Sequence, residues 1–145
     1  MSLLAVGVDM VEIDRIRGVL ERHGDRFRAR VFTAAELAVS RDRPHQLAAR
    51  FAAKEATMKA LGTGIRGVGW RDIEVLPNRR GKPLLFLRRR ARRRARAIGL
   101  TSLEVSLTHS REYAVATVIG LQQKPGDPQT ERKRLLRRLR EGGFL

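Results

Sequence analysis

Arg50, Lys54, Glu55 and Lys59 share one alanine-rich stretch, Arg50-Phe51-Ala52-Ala53-Lys54-Glu55-Ala56-Thr57-Met58-Lys59. At helical spacing, Leu47, Phe51, Met58 and Leu61 form an apolar stripe, and alanines 48, 52, 53, 56 and 60 cover most of the remaining surface. Such a helix is usually central and closely packed. Lys54 falls inside the stripe, and a buried unpaired charge costs several kcal/mol, so it needs a partner or a ligand. Glu55 and Lys59, at i,i+4, also fit a solvated ion pair worth only about 0.2–0.5 kcal/mol. Asp9 ends the apolar run Leu3 to Val8. A side chain there often faces a crevice, and an Asp there also fits a cap for the next helix. If Asp9 and Glu55 meet, they have the donors of a Mg²⁺ site, an ion bound by one or two carboxylates with phosphate oxygens and waters. His109 lies in the turn Thr108-His109-Ser110-Arg111, whose hydroxyls suit phosphate, and equally fits an exposed turn histidine.

Composition narrows the setting. One domain fits 145 residues, and 42% hydrophobic content supports a folded globule. Without cysteine there is no disulfide, thiolate metal site or thiol nucleophile. No GxxxxGKS/T loop, GxGxxG fingerprint, HExxH or metal-finger spacing is present. No segment approaches the roughly 20 apolar residues of a membrane span. The opening run lacks a basic start and a cleavage-like end, so it reads as a strand, with no signal peptide, and cytoplasmic residence is the default. The formal net charge of +16 favours acidic partners: nucleic acid, anionic lipid, phosphorylated ligands or an acidic protein.

The elements that must position these groups can be read in order. A buried strand covers 3–9, and a helix carrying Ile13, Ile16 and Leu20 follows, with Gly24 as its stop. Thr33 and Glu36 form a capping-box pattern for a short helix to Ser40. Pro44 starts the long helix and Gly62 ends it. A glycine-rich loop leads to Ile73 and Val75, a strand with one wet face. Asn78 to Pro83 is a turn, and Leu84 to Leu87 a second strand. Arg88 to Ile98 reads as an extremely basic helix ended by Gly99. Leu103, Val105 and Leu107 alternate with polar residues, and Tyr113 to Ile119 pairs with them. A linker at 124–129 precedes a terminal basic helix striped by Leu135, Leu136 and Leu139. Strands and helices mix without regular alternation, which predicts an α+β fold: one domain with an antiparallel sheet packed on a long central helix.

Taken together, these segments resemble the small, single-domain phosphopantetheinyl transferases. Gly7-Val8-Asp9-Met10-Val11-Glu12-Ile13 followed by Arg15-Ile16 looks like the family's first motif. Arg50-Phe51-Ala52-Ala53-Lys54-Glu55-Ala56 with Lys59-Ala60-Leu61-Gly62-Thr63-Gly64 looks like its central one. Gly81-Lys82-Pro83, and Ser106-Leu107-Thr108-His109 with Glu112-Tyr113-Ala114, match its later stretches. The likeness runs from about residue 3 to 121, so 1–121 is the expected domain and 122–145 a basic extension.

The resemblance implies an enzyme that moves 4′-phosphopantetheine from coenzyme A to a serine of an acidic acyl carrier protein, as in fatty-acid biosynthesis. It implies Mg²⁺ on Asp9 and Glu55, and Lys59 near the reacting pyrophosphate. Arg50 and His109, with Thr108 beside them, would contact coenzyme A phosphates, while Lys82 and Pro83 border the adenine. Glu55 would take the serine proton and Lys59 would serve the leaving phosphate. Arg15, Arg26, Phe27 and Arg30 would receive the carrier, and the family is similar in being a homotrimer with active sites at subunit clefts. The chain departs from the family pattern at Met58, where many relatives carry a small polar residue, in the arginine excess of 88–96, and in the tail. A rival reading is a basic nucleic-acid-binding protein; against it stand the 5% aromatic content and the absence of a base-stacking motif, which leave non-specific binding as a side property.

Overall fold

The computed structural model describes residues 3–123 and 126–145. Strand β1 (Leu3–Glu12) leads into α1 (Ile13–Val31), α2 (Ala34–Ser40) and α3 (Pro44–Leu61). A hairpin of β2 (Ile73–Pro77) and β3 (Pro83–Leu87) follows, then α4 (Arg89–Ala97), β4 (Leu100–His109), β5 (Tyr113–Gln122) and α5 (Pro128–Glu141). The main sheet is antiparallel in the order β1-β5-β4, and β2-β3 is a separate ribbon. This is the expected α+β fold.

Alternation along the strands decides which face meets α3. Ala5 and Val11 of β1 and Ala114, Ala116 and Val118 of β5 are buried on the helix side. Facing them, Ala48, Ala52, Ala53 and Ala56 are also buried. Small residues on both surfaces let the backbones approach closely. Gly7 is the limiting case, because a Cβ there would overlap the carbonyl oxygen of Ala56 and stand 3.1 Å from the Ala60 nitrogen. Main-chain atoms cannot rotate away, so Gly7→Ala is expected to cost about 3 kcal/mol, the upper part of the overpacking range. Urea unfolding measures it, and a loss under about 1 kcal/mol would show that strand and helix can part without penalty.

Several boundaries differ from the expected ones for physical reasons. Helix α1 passes Gly24 and bends at His23 (φ −135°, ψ 29°) without stopping. A helical glycine costs only about 1 kcal/mol, and beyond it Phe27 packs on Phe32 and Phe51, with ring centroids 5.7 and 6.0 Å away. Strand β2 has no wet face, since Ile73, Glu74 and Val75 are all buried. Glu74 tolerates this because Arg88 and Thr33 donate to its carboxylate at 2.7 and 2.6 Å. The Arg88 hydrogen bond, and then Thr33, hold that carboxyl below its usual range against the cost of burial. Lys124 and Pro125 of the expected linker lie outside the described residues, whereas Pro128 and Gln129 already belong to α5, capped by Asp127.

Other expectations match. The capping box forms, with Thr33 Oγ1 accepting from the Glu36 amide and Glu36 Oε1 from the Thr33 amide. Gly62 closes α3 at a left-handed φ of 71°. Lys54 is fully buried and finds partners in the protein: Glu36 Oε1 at 2.7 Å and the carbonyls of Trp70 (3.0 Å) and Ile73. One ammonium thus ties α2, α3, β2 and the 3-10 turn at Trp70–Asp72 together. Trp70 stacks on Phe51 with centroids 4.9 Å apart.

Candidate active site

Two groups of polar side chains face α3. The first joins β1 to α3. Asp9 is half-buried on the helix side of β1, and Lys59 Nζ donates to it at 3.2 Å and to the Val8 carbonyl at 2.8 Å. Glu55 lies one turn before Lys59 and within hydrogen-bonding reach of Asp9. Burial, then the Asp9 charge and a hydrogen bond to it, raise the Glu55 carboxyl above its ordinary range, while Lys59 and Arg15 pull the other way. Lys59 therefore pairs with Asp9 in place of an isolated Glu55–Lys59 pair. The Gly7 contact with Ala56 brings Asp9 to Glu55, and nothing in the spacing of β1 and α3 along the chain reveals it. Two carboxylates lie together there, with the Lys59 ammonium as their cationic neighbour. Among the described residues no cluster of three or more His, Cys, Asp or Glu forms a metal cage. The pair alone fits Mg²⁺, which leaves most of its octahedron to phosphate and water.

The second group lines a cleft of about 370 Å³ at the N-terminal end of α3. Arg50, Pro83, Thr108 and His109 all border it, together with Arg43 and His45. No Asp or Glu is among its lining residues. The imidazoles of His45 and His109 lie 5.0 Å apart. Burial first, then His109 and Arg43, lower the proton affinity of His45, and the guanidiniums of Arg43 and Arg50 make the cleft positive. The dipole of α3 adds to that field. Sequence reasoning missed Arg43 and His45; their position at the first turn of a long helix was the available signal.

Other expected site residues are placed less simply. Arg50 is buried, and its Nε donates to the Val75 carbonyl at 3.0 Å while Nη1 reaches the Gln46 side chain at 2.9 Å. Much of its donor capacity anchors α3 to β2. Lys82 is exposed, pairs with Glu104 at 3.1 Å, and does not line the cleft. Arg15 stands beside the carboxylate pair. Arg26, Phe27 and Arg30 border a shallow recess farther along α1, and Phe27 is half core. Met58 is buried against Leu61, Val68, Ile73 and Ala91, so its position holds packing and no hydrogen bond.

Comparison with known proteins identifies the family. The family model for the 4′-phosphopantetheinyl transferase superfamily matches residues 5–119. A holo-[acyl-carrier-protein] synthase from Herpetosiphon aurantiacus is 48% identical over 126 residues, covering 82% of this chain and 99% of that protein. One from Gloeobacter violaceus is 50% identical over 117 residues, covering 78% and 89%. The crystal structure of the Helicobacter pylori holo-[acyl-carrier-protein] synthase in complex with coenzyme A superposes with a TM-score of 0.73 at 29% identity, over 79% of this chain and 98% of that one. The chain belongs to the 4′-phosphopantetheinyl transferase superfamily, among the holo-[acyl-carrier-protein] synthases.

Proposed function

We propose that this chain transfers 4′-phosphopantetheine from coenzyme A to a serine of apo-acyl carrier protein, releasing adenosine 3′,5′-bisphosphate, in the priming of carriers for fatty-acid synthesis. The observation that carries the reading is the pairing of a carboxylate couple with a cleft whose only charged lining groups are cationic, within this family's fold. The cleft takes the phosphates of coenzyme A through Arg43, His45, Arg50 and His109, with Pro83 and Thr108 at its wall. Lys82 serves at the rim. Asp9 and Glu55 would hold Mg²⁺, which would neutralise charge building on the departing adenosine-side phosphate. The carrier serine attacks the phosphorus on the pantetheine side. Glu55 removes the serine proton, and Lys59 offers its ammonium to the leaving phosphate. Arg15, Arg26 and Arg30, with Phe27 between them, receive the acidic carrier and speed its encounter.

Supporting a trimer with sites at subunit clefts, the sheet face away from α3 is apolar and exposed: Leu4, Val6, Val8 and Met10 of β1, with Ile119 and Leu121 of β5. A continuous patch of this kind marks an interface, and Val8 and Met10 flank Asp9. Light scattering is expected to give three times the chain mass, and a monomer at micromolar concentration would overturn the assembly. Gln122 still belongs to β5, and the basic tail beyond it is an appendage to this unit. No helix among the described residues is long and apolar enough to cross a membrane, and the proposed carrier substrate places the enzyme in the cytoplasm.

The decisive experiment mixes the protein with apo-carrier, coenzyme A and Mg²⁺ and weighs the carrier by mass spectrometry. The carrier gains one phosphopantetheine. No mass gain across salt concentrations and several carriers would sink the reading.

A further inference from the structure

Seven arginines crowd residues 88–96 around α4, and the fold uses three of them. Arg88 pairs with Glu74 at 2.7 Å, Arg90 lies 3.7 Å from Asp72, and Arg94 donates to the Leu61 carbonyl at 2.9 Å. Each of these ties α4 to the elements beneath it. The other four, Arg89, Arg92, Arg93 and Arg96, recur at i, i+3, i+4 and i+7, which is one face of a helix. That face points away from the buried Ala91 and Ala95. All four are exposed, and none has an acidic partner within 4.0 Å among the described residues.

We propose that the outward face of α4, formed by Arg89, Arg92, Arg93 and Arg96, binds the phosphate backbone of nucleic acid without regard to sequence. Four planar guanidiniums along about 10 Å of helix match a line of phosphates, which they grip bidentately. No exposed apolar or aromatic side chain lies among them, so the face has nothing to insert into a bilayer and nothing on which to stack bases. Helix α5 is a weaker candidate for the same role. Its Arg134 and Arg137 are partly neutralised by Glu131 and Glu141 on the same helix. The surface is separate from the residues assigned to transfer, so it stands or falls independently of that reaction.

The test is anisotropy with a fluorescein-labelled random-sequence DNA duplex of about 20 base pairs, titrated from about 50 to 200 mM NaCl. Each phosphate engaged contributes about 0.9 to the slope of log K against log salt. The R89Q/R92Q/R93Q/R96Q variant should flatten that slope by about 3.6, and R92Q/R93Q by about 1.8. Glutamine keeps the helix, which circular dichroism verifies, and both variants should transfer phosphopantetheine with an unchanged carrier KM. An unchanged slope overturns the proposal. So does a slope that falls for R132Q/R134Q/R137Q/R138Q in α5 and not for the α4 variants. A carrier KM that rises several-fold with the slope intact would give the face to the carrier protein.

Discussion

Asp9→Asn and Glu55→Gln are each expected to lower phosphopantetheine transfer by about 10³-fold or more, equivalent to about 4 kcal/mol of transition-state stabilisation. The size follows from the donor set. Among the described residues only two carboxylates face the site, and neutralising either halves the charge available to hold a divalent cation opposite a pyrophosphate. Lys59 makes the loss worse at Asp9, because its ammonium would keep the Val8 carbonyl but lose its carboxylate partner. Stability should move the other way in metal-free buffer. Glu55 has its proton affinity raised by burial and by Asp9. A group raised in this way favours the fold below its unfolded pKa, and that contribution is lost as pH rises through its folded value. At neutral pH the wild type therefore carries a like-charge contact, only partly offset by Lys59 and Arg15, that glutamine removes. Glu55→Gln should melt slightly higher there, by less than about 1 kcal/mol given its partial exposure. The difference should shrink as pH falls below about 4, where the carboxyl becomes protonated in both states. Melts across that range, beside the transfer assay, check both halves. Wild-type turnover in either variant would remove the pair from the chemistry.

The second large effect is on folding. Lys54→Ala or Glu36→Ala should each destabilise the chain by about 3–5 kcal/mol, because each strands a buried charge. Burial lowers the Lys54 proton affinity and Glu36 only partly restores it, so the ammonium depends on that one carboxylate and two carbonyls. Glu36 carries a further load: besides Lys54 it accepts from the amides of Thr33 and Val75, both at 3.0 Å. The double variant Lys54→Met, Glu36→Leu should recover part of the loss, with the orphaned amides still costing about 1 kcal/mol each. Denaturant midpoints should fall in the single variants at unchanged m. A double variant as unstable as the two singles added together would deny that the residues act as a pair.

These two clusters show what the sequence discloses. Local signals were sufficient where the physics is local: the Thr33–Glu36 box, Pro44 and Gly62 bound their helices as expected. Lys54 announced its need of a partner by lying in an apolar stripe, yet Glu36 is 18 residues away and itself looked like nothing more than a cap. The same holds for Glu74, whose alternation suggested water and whose actual partners come from two other elements. Gly24 was legible as a stop only so long as Phe27 had nothing to bury against. The carboxylate pair was named from ordered motifs, while its closeness depends on Gly7 meeting Ala56, which no periodicity expresses. Arg43 and His45 went unread because their importance comes from a cleft closed by β3 and β4.

Trp70 has a use beyond packing. It is the single tryptophan of the chain, so all indole emission comes from one place. That place is the ring stacked on Phe51, beside the carbonyl that receives the Lys54 ammonium. Phe51 lies one turn before Glu55 on α3. The molecule thus contains an intrinsic optical reporter wired to the helix that carries its chemistry. Stopped-flow emission, without any label, can therefore time the docking of that helix during folding.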